Sequence, residues 1–334
     1  MEAVIAWKPV VNDWEMASAR LRCFLPSKYL NEAGWSCEMF NERNAAHYDL
    51  VVFQKVYDEG SIKLARDLTK KGVKTVFDLC DNHFYNPNSD PWIDERAERL
   101  RRIIDSVNAV TVSTPELKKL IPEKDPVVID DAIDWPQKSF MLNLYARLKK
   151  NRKGRTQNML RIVWYGNAGS ENPRFGLIDL PRILPSLEKL NARLPLTFTI
   201  ISNSWEAAEK YVRDVPFRVK YHDWKRSTFS YLFSQQDVCV IPVSVNPFTV
   251  CKTNNRLVLS LLQGIPVVAD RIPSYDEFGD FVLFNDWENN LYTYATDTDL
   301  RLRHLSEGSK YIMSKYNKER VVRQWSSFFE KLLG

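Results

Sequence analysis

The chain has 334 residues, 44% of them hydrophobic, enough to bury two cores of roughly 150 residues each. Its 47 Lys and Arg face 42 Asp and Glu for a net charge of +5. They are dispersed rather than gathered into a tail, which favours an anionic small molecule or an acidic membrane surface over nucleic acid. Five cysteines in an odd count with no C-x-x-C spacing argue against zinc and against a disulfide framework, and point to a reducing cytoplasm. From the N-terminus, MEAVIAWKPVV lacks the basic flank and cleavage site of a signal peptide, and no window approaches about 18 unbroken apolar residues. The expected location is cytoplasmic, or peripheral to a membrane.

Short β-branched runs then alternate with amphipathic ones, the pattern of βα units on a parallel sheet. The strand AVIAW is followed by a helix over 17–33, a strand at 36–40, DLVVFQKV at 49–56 and a helix near 61–71. KTVFDL at 74–79, a helix near 93–107, AVTVS at 109–113 and PVVIDDAID at 126–134 complete the series. These make an N-terminal Rossmann-like domain over 1–135. A polar, basic stretch containing RLKKNRKGRTQN reads as a connector over 136–160, or in detail as a surface helix followed by a loop.

A second series covers 161–310: RIVWYG, a helix over 177–194, LTFTIIS, a helix at 205–215, FRVKYH, a short helix at 228–234, DVCVIPV, a further helix, and IPVVAD. Residues 311–334 read as a C-terminal helix packing back across the domains, with Trp325, Phe328 and Phe329 on its apolar side. The expected fold class is α/β, two doubly wound parallel sheets with a cleft between domains. Ligands of such sheets sit at the carboxyl ends of the strands.

Two stretches fall at such ends. WYGNAGSENPRFG runs from a strand into Gly166, Asn167 and Gly169, where a backbone without side chains can approach a phosphate closely. A helix expected soon after Pro173 adds positive polarity, and Arg174 adds a fork of donors. A plain tight turn is the alternative reading of the same glycines. KTNNRLVLSLLQGIPVVAD places Lys252, Asn254, Asn255 and Arg256 at the mouth of a helix whose Leu257, Val258, Leu261 and Leu262 form a buried stripe. Lys252 and the first helical N–H groups can converge on one anion. Asn254 or Asn255 can instead cap the helix, which leaves Lys252 and Arg256 unexplained.

NRLVLSLLQGIPVVAD resembles the asparagine-basic-leucine helix and glycine-x-proline-valine-valine strand of GT-B glycosyltransferases. VWYGNAGSENPRFG is similar to the glycine loop that opens their C-terminal domain, DVCVIPV to the strand before their donor loop, and AVTVSTPELKKLI to the end of their N-terminal domain. TVFDLCDNHFYNP and SARLRCFLPSKYLNEAGWSCEMF also have counterparts, so the resemblance covers nearly the whole chain. It implies a nucleotide-sugar donor on the C-terminal domain and a glycan, lipid-linked or other hydroxyl acceptor on the N-terminal one, as in polysaccharide biosynthesis. No cofactor is expected, no metal since no Asp-x-Asp clamp is evident, and no nucleic-acid partner since only RLKKNRKGR clusters its basic residues. Glycogen-synthase-like members carry two glutamates spaced E-x7-E, and alignment on Gly264-x-Pro266 puts Cys251 and Leu259 in their places. A catalytically inactive partner subunit and a nucleotide-sugar epimerase share the remaining pattern.

A metal-free glycosyl transfer needs cations for the leaving diphosphate and a positioned acceptor, often with a base. Asp81 and His83 follow an N-domain strand and rank first as base, with a turn role for Asp81 and Asn82 as the alternative. Asp13, after the first strand, is a second candidate or a helix cap. Arg20 suits an acceptor or phosphate contact, or a surface ion pair. Asp78 and Asp81 are spaced by three, which does not suit a metal clamp. His222, Asp223 and Trp224 follow a C-domain strand, where a ring can stack on a nucleobase or serve only packing, and Asn246 lies in the loop expected to line the sugar pocket.

Overall fold

The computed structural model describes residues 3–134 and 159–334. The connector expected over 136–160, with its basic stretch, lies outside the described residues except for its last two positions. Two units are present: one comprises 3–134, Val250–Thr253 and Lys315–Gly334, the other 159–249 and Asn254–Ser314.

In the first unit the β-branched runs become β1 (Val4–Pro9), β2 (Ser36–Met39), β3 (Leu50–Gln54), β4 (Lys74–Leu79), β5 (Ala109–Val112) and β6 (Val127–Val128). They form one parallel sheet in the order β2-β1-β3-β4-β5-β6, with Ile5 opposite Leu50 and Val52 opposite Val76. β3 is buried along its whole length, as a central strand covered on both faces must be. Asp58 accepts the Ser61 N–H to start the helix Glu59–Lys70, and Asp90 does the same for Pro91–Ser106 through the Trp92 N–H. The last helix, Lys318–Leu333, turns Val321, Trp325, Phe328 and Phe329 inward. Trp325 meets Trp7 of β1 edge to face, with ring centroids 4.6 Å apart.

The first helix departs from expectation. It runs Ala17–Ala19, then a π-helical turn Arg20–Phe24, then Leu25–Glu32. Pro26 has no N–H for the carbonyl of Arg22, and its ring would clash with that carbonyl, so the turn widens around it.

In the second unit β7 (Leu160–Tyr165), β10 (Leu196–Ser202), β11 (Arg218–Asp223), β12 (Val238–Ile241), β13 (Val267–Ala269) and β14 (Leu283–Phe284) form a parallel sheet in the order β11-β10-β7-β12-β13-β14. Counted within the unit this is 3-2-1-4-5-6, with its switch point between β7 and β12. The segment expected to lead from the glycine loop into a helix first makes a small antiparallel pair, β8 (Gly169–Glu171) and β9 (Arg174–Gly176). A 3-10 turn Leu177–Arg182 follows, and the α-helix starts only at Leu184.

Candidate functional site

At the carboxyl ends of β3 and β4 the first unit gathers charge. Gln54 ends β3, and Lys55 follows with φ of 56°, a left-handed conformation rare for a side-chain-bearing residue. Its amide donates to the Asp78 carbonyl at 2.9 Å, and its ammonium reaches the Asp81 carboxylate. The Lys252 ammonium takes the other oxygen of Asp81. Burial alone would raise the Asp81 carboxyl, but Lys252 and then Lys55 outweigh it and hold the group well below the usual carboxylate range. Nearby, the Tyr57 hydroxyl and His83 Nδ1 are 2.6 Å apart, and His83 Nε2 lies 4.0 Å from Asp81. Burial, then the charge of Lys55, pushes His83 down to about 3. Both expected bases therefore have lowered proton affinity, which counts against general-base work near neutrality.

Beneath these groups lies a buried ion pair. Arg22, inside the π turn, donates from Nε and Nη2 to the two oxygens of Asp78 at 3.0 and 2.5 Å. Thr111 adds a third donor at 2.7 Å. Arg22 Nη1 donates to the Ile129 carbonyl at 2.5 Å and stands 3.4 Å from Asp131, which also accepts from the Thr253 hydroxyl at 2.7 Å. Sequence reasoning missed this network and the roles of Lys55 and Tyr57. Asp78 was legible only as a charged residue inside an apolar strand. Among the described residues no group of three His, Cys, Asp or Glu is placed to hold a metal ion.

In the second unit Gly166 and Arg256 come together at the carboxyl end of β7. The Tyr165 hydroxyl donates to the Arg256 carbonyl at 2.8 Å, and Arg256 Nη1 donates to the Tyr165 carbonyl at 3.3 Å. A Cβ on Gly166 would stand 3.4 Å from that same nitrogen. Arg256 belongs to the first turn of the helix Asn255–Leu262, whose Leu257, Val258, Leu261 and Leu262 are buried. The helix start is thus held rigidly at the sheet's switch point. Among the described residues Arg256 forms no ion pair.

Several sequence expectations are corrected here. Asn254 occupies the cap position, but its backbone (φ −84°, ψ 10°) is not extended and its side chain makes no cap bond. The amide donates to Glu277 at 3.3 Å instead, so capping does not explain the asparagine; Asn255 is the first helical residue. Gly169 serves the small hairpin: a Cβ there would lie 1.9 Å from the Phe175 carbonyl oxygen. Asn167 closes the same turn by accepting the Gly169 N–H at 2.8 Å. Arg174 is committed within its own unit, to the Ile178 carbonyl at 3.0 Å and the Ser244 hydroxyl at 3.2 Å. Asn246 accepts the Phe248 and Thr249 N–H groups and donates to the Arg174 carbonyl, so it shapes its loop.

His222 and Asp223 end β11, two places from β7, and Trp224 follows them; the Trp224 amide donates to the Ser202 carbonyl at 2.7 Å, the Ser202 hydroxyl donates to the Gly166 carbonyl at 2.9 Å, and the Trp224 ring packs 6.2 Å from Phe229. Asp13 is exposed and accepts the Glu15 N–H at 2.9 Å. Arg20 is no surface residue: it is 6% exposed and donates to the carbonyls of Trp14 and Glu15 at 2.6 and 3.2 Å. Cys251 is buried and its thiol is pushed up to about 12 by that burial.

No family model and no curated protein sequence matches the chain. Solved structures do. Anabaena HepE, in complex with UDP and glucose, is similar over 99% of this chain and 100% of its own, with a TM-score of 0.68 at 12% identity. A glycosyltransferase from Rickettsia africae is similar over 99% of both chains, with a TM-score of 0.65 at 12% identity. The chain has the GT-B fold. A further GT-B structure, a mutant of S. aureus TarM in complex with Fondaparinux, alpha-GlcNAc-glycerol and UDP, matches 84% of this chain and 55% of its own, with a TM-score of 0.60 at 14% identity. In GT-B terms the two parallel sheets are the two Rossmann-like domains. No described helix is long and apolar enough to cross a membrane.

Proposed function

We propose that this chain is a metal-independent glycosyltransferase that moves a sugar from a nucleotide-sugar donor to a hydroxyl acceptor. The observation that carries this reading is Arg256: a guanidinium without an ion pair among the described residues, beside a glycine and at a helix start, on the switch point of a Rossmann-like sheet. Such a fork suits a diphosphate, and each charge-assisted contact contributes about 1.5–3 kcal/mol. HepE with UDP and with UDP-glucose supports the choice of a uridine diphosphate donor. In transfer, the bond from the sugar's anomeric carbon to the diphosphate oxygen breaks and a bond to the acceptor oxygen forms. With Asp81 and His83 both of low proton affinity, the acceptor proton passes to the departing diphosphate. Asp81 serves as the counter-ion that positions Lys55 and Lys252.

Buried Cys251, where related enzymes carry a glutamate, favours a second reading in which the chain binds nucleotide without turning it over. Titrating UDP into the full chain by calorimetry, followed by an assay for loss of UDP-glucose, tests both. Binding with turnover supports the transferase, and binding alone supports the second reading. Absence of binding for UDP and every other nucleoside diphosphate removes both.

A further inference from the structure

The loop after β1 has an unusual surface. Val10, Val11, Trp14 and Met16 are 38–45% exposed within seven residues. Trp14 lies nearly parallel on Phe24, with ring centroids 4.8 Å apart and planes inclined by 28°. Phe24 is buried, so it is a fixed backing. The loop is also pinned from within, because buried Arg20 donates to the carbonyls of Trp14 and Glu15 and its Nε stands 3.3 Å from Asp134. Within this unit, then, a buried arginine holds the backbone of Trp14 while an aromatic ring supports its side chain.

Beside this ring pair lies a wide, open cavity of about 590 Å³ at the carboxyl ends of β1 and β2. Trp14, Phe24 and Met39 give it an apolar wall, and Asn12, Lys28 and Glu32 a polar one. That combination matches a pyranose, whose C–H face packs on an aromatic ring while its hydroxyls need donors and acceptors around the edge. Lys28 and Glu32 of the polar wall stand 4.0 Å apart and Glu32 also meets Lys318 at 3.3 Å, an exposed charged edge that a ring's hydroxyls can join and an acyl or isoprenoid chain cannot use. Ordering in advance by Arg20 and Phe24 lowers the cost of binding.

We propose that this cavity is a subsite for a sugar ring of a glycan acceptor, with Trp14 as its platform and Arg20 as a positioning residue. The proposal rests on the transferase reading and names the acceptor class for it.

The test uses the full chain with saturating UDP and a panel of maltose, cellobiose and N,N′-diacetylchitobiose, followed by saturation-transfer NMR and calorimetry. At least one disaccharide is expected to bind. Trp14→Ala should weaken it by about 10-fold or more and Trp14→Phe by less, with UDP affinity unchanged and the melting temperature of the exposed-site variant within a few degrees of the parent. Binding that Trp14→Ala leaves intact overturns the proposal, as does a panel in which no disaccharide binds. If no disaccharide binds but the chain cosediments with phosphatidylglycerol vesicles in a Trp14-dependent way, the surface is a lipid contact instead. Because UDP binding is read separately, failure here does not touch the transferase reading, and failure of UDP to bind is seen first.

Discussion

The two strand-end clusters use charge in opposite ways. In the first unit each strong charge is answered inside the unit: Arg22 by Asp78, and Lys55 with Lys252 by Asp81. In the second, Arg256 sits at the switch point bonded, among the described residues, to uncharged groups. A buried charge with a partner mainly fixes geometry, because removing either member leaves the other stranded in a low-dielectric site. A cation without a carboxylate keeps its attraction for a ligand. The contrast teaches that the number of lysines and arginines near a cleft is a poor guide to anion binding; what matters is which of them are already neutralised.

The sharpest way to break this comparison is at the buried pair. Asp78→Ala takes from Arg22, only 1% exposed, the carboxylate that accepts two of its N–H groups, and leaves it, among the described carboxylates, only the longer contact to Asp131 at 3.4 Å. It is expected to cost about 3–5 kcal/mol in urea unfolding, whereas Arg256→Ala should change stability by less than about 1 kcal/mol. A small loss at Asp78 would show that the pair is not a structural unit.

Affinity should reverse the ranking. Arg256→Ala is expected to weaken UDP binding by roughly 10- to 150-fold at low salt. Lys252→Ala, whose charge Asp81 already answers, should weaken it by less than about 10-fold. Equal losses in calorimetry would mean that Lys252 leaves Asp81 for the diphosphate.

His83 offers a pH test. Its folded pKa of about 3 lies below the ordinary value of 6.5, so the unfolded chain binds the proton more readily. The stabilisation is complete above about pH 6.5 and is lost as pH falls toward 3, by up to about 1.4 kcal/mol per pH unit. His83→Asn should remove that share of the slope in melting temperature between pH 6.5 and 4. An unchanged slope would place the titration elsewhere.

The smallest effect is expected at the helix start. Asn254→Ala should alter stability by less than about 0.5 kcal/mol because no cap bond is lost, while Asp58→Ala, a real cap, should cost about 1 kcal/mol. A loss of about 1 kcal/mol at Asn254 would restore the capping account.

Much of the fold was legible because its signals are local. The β-branched runs at Leu50–Gln54 and Val267–Ala269 and the apolar stripe of Leu257, Val258, Leu261 and Leu262 need only neighbours in sequence to be read. The hairpin after Gly169 was missed because the glycines read there, Gly166 and Gly169, three residues apart, fit a phosphate loop and a tight turn equally well. The π turn was missed because the periodicity of 17–33 is barely disturbed by one widened turn. At the candidate site, Gly166 and Arg256 were singled out separately, but the bond that brings Arg256 to Tyr165, the neighbour of Gly166, across 91 residues of chain was not. Arg20 was read as a surface or phosphate group, since no pattern in the sequence shows that it turns inward to hold the Trp14 carbonyl.

By itself the sequence determined two α/β series and the positions at which polar residues cluster beyond the strands, because strand and helix periods are set by the residues within each element. Only the tertiary structure decided which charges are neutralised. Lys252 and Arg256 are separated by three residues and look equivalent in sequence, yet one meets Asp81 from 171 residues away and the other meets a backbone carbonyl. Electrostatic roles depend on distance in space and on burial, and neither is encoded in the spacing along the chain.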